Sequence, residues 1–425
     1  MSAVFDHSIL KRNMNIAIVV PCVWDSRSYS YDPGLLVNGF RELGHEAFVV
    51  YLKGSILNAK ESMYRAEYTT IELNEDEMVS SEVWTKLKYS ANPKENGNAL
   101  ESHLGIDLAV VNTWMGMPKL VNAMKSANIF CIGRGDTDGL LGVRVYPLPT
   151  LTRMFFPQST GLGKLRATWH WVKKYCALYK QEDNEVLQSV GASDWTMVET
   201  DAAKKHLQSL FRYHNRNDLD QRIGVIPNPV AESFIQADIC QKQNKVVAVA
   251  RWDDPQKNTP LLVQALTKYA DAHPETQVVL IGRGGEKFFQ RLTERFPNIR
   301  YIGVVPNIEV AQHLSTARSL LFSSRWEGSP VAGNEALALG CSIVGPQIPG
   351  IESICDAGPF GTFARKYNAA ALAAALEQEM QQWERGERNP VEIAAFWRRH
   401  FSSVSVAAQY LNYNPAPSQH TTLSI

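Results

Sequence analysis

Short apolar runs separated by helical patterns recur from one end of this chain to the other, and that rhythm restricts the fold more than any other feature. In the first half the runs are MNIAIVV (14–20), EAFVVYL (46–52), DLAVVN (107–112), NIFCIGR (128–134) and DWTMVE (194–199). In the second half KVVAVAR (245–251), QVVLIGR (277–283), IRYIGV (299–304), SLLFSS (319–324) and CSIVGP (341–346) repeat the beat. Between them lie GLLVNGFREL, PLLVQALTKYADAH and IEVAQHLSTA, each with helical spacing of its apolar residues. Strands that alternate with helices in this way predict an α/β fold, with a parallel sheet covered by helices on both faces.

At 425 residues the chain is longer than one hydrophobic core usually supports, so two Rossmann-like units are expected. The division falls near IGVIPNPVAESF (223–234), where Pro227 and Pro229 interrupt the pattern and a hinge is plausible. That gives a first unit over 1–228, a second over 229–390, and a helical tail over 391–425 that frays into Pro, Ser and Thr. The polar segment 56–100, with its acidic IELNEDEM, reads as a solvated surface insertion. Lys plus Arg and Asp plus Glu number 43 each, so no net field draws the chain to nucleic acid, and any charged ligand must be bound locally. The six cysteines form neither a CxxC pair nor a Cys/His cluster, which argues against a zinc site and against a disulfide framework. Without a signal peptide or a membrane-length apolar run, a cytoplasmic location is expected.

The stretch RWEGSPVAGNEALALG (325–340) follows the strand-like SLLFSS and runs into a helix that Gly340 would cap. In open parallel sheets, ligands sit outside the carboxyl ends of the strands, where helix N-termini offer unpaired N–H groups to anions. Pro330 has no N–H, so Val331, Ala332 and Gly333 are the expected backbone donors to a phosphate, on a loop that Gly328 helps to bend. Glu335 would repel a phosphate but can accept hydrogen bonds from vicinal hydroxyls, and Glu327 sits at the other lip of the loop. The bland alternative is that both glutamates simply favour the helix dipole. Arg251 and Lys257, after the run KVVAVAR, supply the cations a diphosphate needs, unless they only pair with Asp253 or Asp254. Gly282, Gly284 and Gly285 predict a tight turn close to a nucleotide.

Taken in order, VAVARWDDPQKNTPLLVQAL, VVLIGRGG, IRYIGVVPNIEVAQHLSTARSLLFSSRWEGSPVAGNEALALGCSIVG and IPGIES resemble the donor domain of retaining glycosyltransferases of the GT-B fold, family 4 type. The resemblance implies two Rossmann-like domains facing a cleft, acceptor on the first, nucleotide diphosphate sugar on the second, with the helix around AFWRRHFSSV crossing back to the first. It implies that Arg251 and Lys257 hold the diphosphate, Glu335 the ribose and Glu327 the donor sugar, with Gly282, Gly328, Val331 and Ala332 also lining the donor site. Pro227 and Asn228 match the family's hinge. The implied reaction passes a sugar to an acceptor hydroxyl with its anomeric configuration kept, without a protein nucleophile and without a metal or other cofactor. The acceptor would be a small molecule, a glycan or a lipid-linked group.

The first half departs from the family pattern. PCVWDSRSYSYDPG offers only Gly34 where the family has a glycine pair, and CIGRGDTDG places Arg134, Asp136 and Asp138 where it often has a histidine. Asp136 is the best carboxylate to face the reacting sugar, or else it caps its own turn. The basic stretch KLRATWHWVKKYCALYK (164–180) carries an apolar stripe and would suit either peripheral contact with the inner face of a membrane or a core-facing helix with a solvated basic side. Two rivals remain: a GT-B relative that isomerises or phosphorolyses sugars, and a catalytically idle sugar-nucleotide binder or scaffold.

Overall fold

The computed structural model describes residues 13–21, 32–53, 70–89, 105–112, 117–135 and 183–413. The first sheet holds β1 (Asn15–Val20), β2 (Glu46–Leu52), β3 (Thr70–Leu73), β4 (Leu108–Asn112), β5 (Phe130–Arg134), β6 (Trp195–Val198) and β7 (Ile223–Val225), of which β3 and β7 lie outside the apolar runs. A second sheet holds β8 (Gln243–Val249), β9 (Gln277–Ile281), β10 (Ile299–Gly303), β11 (Ala317–Leu321), β12 (Ser342–Pro346) and β13 (Gly361–Ala364). All pairings among the described residues are parallel, in the orders β3-β2-β1-β4-β5-β6-β7 and β10-β9-β8-β11-β12-β13.

The pleat divides each strand between two apolar layers. In β1, Ile16, Ile18 and Val20 enter one core cluster and Ala17 and Val19 the other, all 4% exposed or less. Both faces are thus buried, as parallel sheets require. The order of the second sheet reverses between β8 and β11. The crevice outside the carboxyl ends at such a reversal is where open α/β sheets bind ligands. Arg251 and Lys257 follow β8, and Glu327 and Glu335 follow β11, so the fold delivers all four to that crevice.

The segment 70–89 corrects the expected surface insertion. β3 pairs with β2, and Ile71, Leu73, Met78, Trp84 and Leu87 are buried against the first sheet. The acidic run that suggested solvation starts a helix: Asn74 and Glu77 form a reciprocal capping box, and Glu75, Asp76 and Glu77 fill the first turn, where the dipole favours them. Trp84 donates its indole N–H to the Met78 carbonyl at 2.8 Å, which satisfies the one polar atom it buries.

Near the C-terminus, helix Pro390–Phe401 packs on the second lobe. There Trp397 donates to Asn334 Oδ1 at 3.2 Å, and Arg398 donates to Ala338 O at 2.7 Å and Ala237 O at 2.6 Å. The chain changes lobe at Ser402, which caps helix Ser403–Leu411. That helix lies against helix Asp32–Glu42 so closely that a Cβ on Gly39 would sit 2.2 Å from the Ser403 carbonyl oxygen. The return to the first lobe therefore belongs to residues 403–411, whereas the AFW part of AFWRRHFSSV stays on the second. No helix among the described residues is long and apolar enough to cross a membrane.

Because Trp84 is fully buried, Trp84→Ala is expected to lower stability by about 3–5 kcal/mol in denaturant titration. A loss below about 0.5 kcal/mol would instead match a surface position.

Candidate functional site

The site is assembled by two loops that lace together. After β8, Asp254 caps a single 3-10 turn, Pro255–Lys257, by accepting from Gln256 N at 2.9 Å. Asn258 then takes a left-handed conformation (φ 46°), one that asparagine tolerates better than most residues, and opens helix Thr259–Ala272. After β11, Ser323 donates its hydroxyl to Lys257 O at 2.6 Å, and Arg325 N donates to Gln256 O at 2.8 Å. The Arg325 guanidinium adds bonds to Pro255 O at 3.1 Å and Asn258 Oδ1 at 3.0 Å. Tyr367 accepts from Asn258 Nδ2 at 3.0 Å and donates to Ser323 O at 3.2 Å.

Within this frame Lys257 and Glu327 meet. Their Nζ–Oε1 distance is 2.6 Å, and Ser324 donates to the same oxygen at 2.6 Å. Among the described residues Oε2 has only a long contact of 3.5 Å with Gln256 Nε2, which bonds Trp326 O at 2.9 Å. Glu327 is 6% exposed, so this is a pair in low dielectric, where attraction and desolvation are both large. Arg251 differs: its side chain is 58% exposed and pairs with Asp254 at 2.9 Å. Such a surface pair is worth about 0–1 kcal/mol and releases its arginine easily.

The helix that follows is Val331–Ala338. Its first turn tightens: Gly333 N donates to Pro330 O at 2.8 Å and Asn334 N to the same oxygen at 3.0 Å. Gly333 is therefore removed from the expected anion donors, because a three-residue bond already uses its N–H. Val331 and Ala332 have no acceptor for their N–H groups among the described residues. Glu335, one turn on, has neither a hydrogen bond nor an ion pair there. The residue keeps some solvent exposure, yet burial pushes its carboxyl up from 4.5 to about 8. A desolvated carboxyl group with no partner among the described residues has oxygens left to accept hydroxyl donors.

The glycines have packing reasons. A Cβ on Gly282 (φ 123°) would fall 1.8 Å from Ala250 O, because Ala250 N bonds Ile281 O at 3.0 Å and the two loops run side by side. Gly328 is held by its neighbour: a Cβ on Gly350 would lie 2.5 Å from Gly328 O, and Gly350 N bonds Glu327 O at 3.2 Å. Asp136 and the basic stretch 164–180 lie outside the described residues.

One contact between the lobes was not foreseeable as such from the sequence. Glu199, the residue after β6, is 8% exposed and accepts from Ser329 N at 3.1 Å, which ties the first lobe to the loop after β11. Its other oxygen accepts from Asn228 Nδ2 at 2.5 Å. The available signal was its place at the end of the run DWTMVE, where strand ends face the crevice.

Two Rossmann-like sheets with a helix returning to the first lobe define a protein of the GT-B fold. Residues 243–382, within the second lobe, match the model of the family of glycosyl transferases group 1. The phosphatidyl-myo-inositol mannosyltransferase of Mycolicibacterium smegmatis is 25% identical over 160 residues, 36% of this chain and 41% of that protein, so the likeness spans less than half of the relative. The fold is similar to that of HepE from Anabaena, solved with UDP (TM-score 0.59, 13% identity, 94% of this chain and 99% of the other). A glycosyltransferase from Rickettsia africae is similar over 94% of this chain and 98% of its own (TM-score 0.61, 14% identity).

Since its pKa is raised on folding, Glu335 holds a proton in the native chain between pH 4.5 and about 8 that the unfolded chain has lost. Stability therefore falls as pH rises through that window. Glu335→Gln is expected to match the wild type near pH 4.5 and to become progressively more stable than it as the pH rises toward 8, read as a widening gap in Tm. Equal pH profiles for the two proteins would contradict the buried state of this carboxyl.

Proposed function

We propose that the chain transfers a sugar from a nucleoside diphosphate sugar to an acceptor hydroxyl, with retention at the anomeric carbon. The observation that carries this reading is the convergence, at the reversal between β8 and β11, of the Lys257–Glu327 pair with two helix amides and a Glu335 carboxyl that have no partner among the described residues. The match of residues 243–382 to the glycosyl transferases group 1, and the UDP bound to the similar Anabaena protein, support it.

In this mechanism the bond between the anomeric carbon and the diphosphate oxygen breaks, and negative charge grows on the departing phosphate. Lys257, Arg251 released from Asp254, and the N–H groups of Val331 and Ala332 stabilise that charge more than they stabilise the ground state. The acceptor oxygen attacks on the face the phosphate leaves, and its proton passes to a phosphate oxygen, so no protein nucleophile is needed. Glu335 accepts from the ribose hydroxyls. Glu327 orients Lys257 through Oε1 and turns Oε2, free of short bonds, to the donor sugar. Asp136 would face the sugar from the first lobe. With two cations and a helix terminus on the diphosphate, no metal ion is required. The acceptor is a small molecule, a glycan or a lipid-linked group, reached from the cytoplasm, with peripheral membrane contact through 164–180 in the last case.

A panel of UDP, GDP and ADP sugars, scored for released nucleoside diphosphate with and without acceptors, tests the reading. Lys257→Ala is expected to lower kcat by about 10²–10³-fold with a smaller change in affinity, since it loses stabilisation of the leaving group. Glu335→Ala is expected to weaken nucleotide binding, and a chelator to leave the rate unchanged. Donor binding without transfer to any acceptor would favour the idle binder instead.

A further inference from the structure

A relay of buried polar groups runs from the first lobe to the donor loop. Arg134, at the end of β5, donates to Tyr410 Oη on the returning helix and to Asn228 Oδ1. Asn228 donates through Nδ2 to Glu199, and Glu199 accepts from Ser329 N–H. Arg134, Glu199 and Asn228 are all 8% exposed or less. A guanidinium only donates and a carboxylate only accepts, so the amide of Asn228 has a single orientation that satisfies both neighbours. The relay also sets a buried cation and a buried anion one amide apart, which limits the cost of each.

From this geometry we infer that Glu199 is an interlobe latch and a positioning residue: it fixes the loop carrying Glu327, Gly328 and Val331 relative to the first lobe. Ser329 lies two residues from both Glu327 and Val331. On the opposite side the loop is held from within its own lobe by Gly350 N on Glu327 O. The Glu199–Ser329 bond must break for the lobes to separate, and a buried bond to a charged acceptor is among the stronger ones. Every group assigned to the diphosphate and ribose lies on the second lobe, so the latch governs alignment with the acceptor side and leaves nucleotide affinity alone. The kinetic part of this inference rests on the proposed sugar transfer; the latch itself does not.

The test places spin labels, through unnatural amino acids, at exposed Tyr213 of the first lobe and exposed Val391 of the second, and measures their distance distribution in the full chain. Glu199→Gln turns an amide toward the amide of Asn228, donor against donor, and is expected to broaden the distribution. Glu199→Gln combined with Asn228→Asp moves the charge one residue along and restores every donor and acceptor direction, so the narrow distribution is expected to return. Glu199→Asp, which keeps the charge and shortens the reach, should broaden it as well and serves if Glu199→Gln does not fold. In turnover, Glu199→Gln should lose about tenfold or more in kcat while nucleotide Kd stays within about threefold, and the double variant should recover, as expected for misalignment of reactants. Identical distributions in all variants overturn the latch, whatever the activity. Distances that respond in a chain that transfers no sugar would leave the latch standing and refute the proposed function.

Discussion

The pair of partly buried Lys257 and buried Glu327 is the interaction around which the second lobe organises its candidate ligand crevice. Removing two charges from water is expensive, and the pair is tolerable only because their contact is short and Ser324 supplies a further bond to the same carboxylate oxygen. The left-handed turn at Asn258 and the capping of the 3-10 turn by Asp254 bring Lys257 inward. The close backbone of Gly350 fixes Glu327 from the other side. The loops after β8 and β11 are thereby laced together, with Lys257 held on Glu327 and two amides, Val331 and Ala332, without an acceptor among the described residues.

Much of this was legible in the sequence because it is written locally. Parallel strands show themselves as apolar runs between helical patterns, and each of the ten runs read that way begins a strand or lies over one. The motif around Glu327 and Glu335 carries its own geometry: a proline without an N–H, small residues, then a helix. β3 was not legible, because Thr70–Leu73 is short and its flank carries three acidic residues whose task is to start a helix. Nor was the use of Gly333, since whether a first turn closes on Pro330 depends on dihedral angles and not on residue type.

What sequence could not reveal is contact between distant segments. Glu199 and Ser329 are 130 residues apart, and nothing near either announces the other. The same holds for the state of Glu335, whose carboxyl differs from an ordinary surface glutamate only through the desolvation imposed by its surroundings. Arg251 shows the reverse. Its pairing with Asp254 was foreseeable from three-residue spacing, and its exposure marks it as a group available for recruitment.

The most direct measurement is a crystal structure of the chain with a nucleoside diphosphate. The account predicts phosphate oxygens within hydrogen-bond distance of the Val331 and Ala332 amides and of Lys257 Nζ, with the ribose hydroxyls on the Glu335 carboxylate. A nucleotide seated away from the crevice between β8 and β11, with those amides and Glu335 still unoccupied, would contradict it.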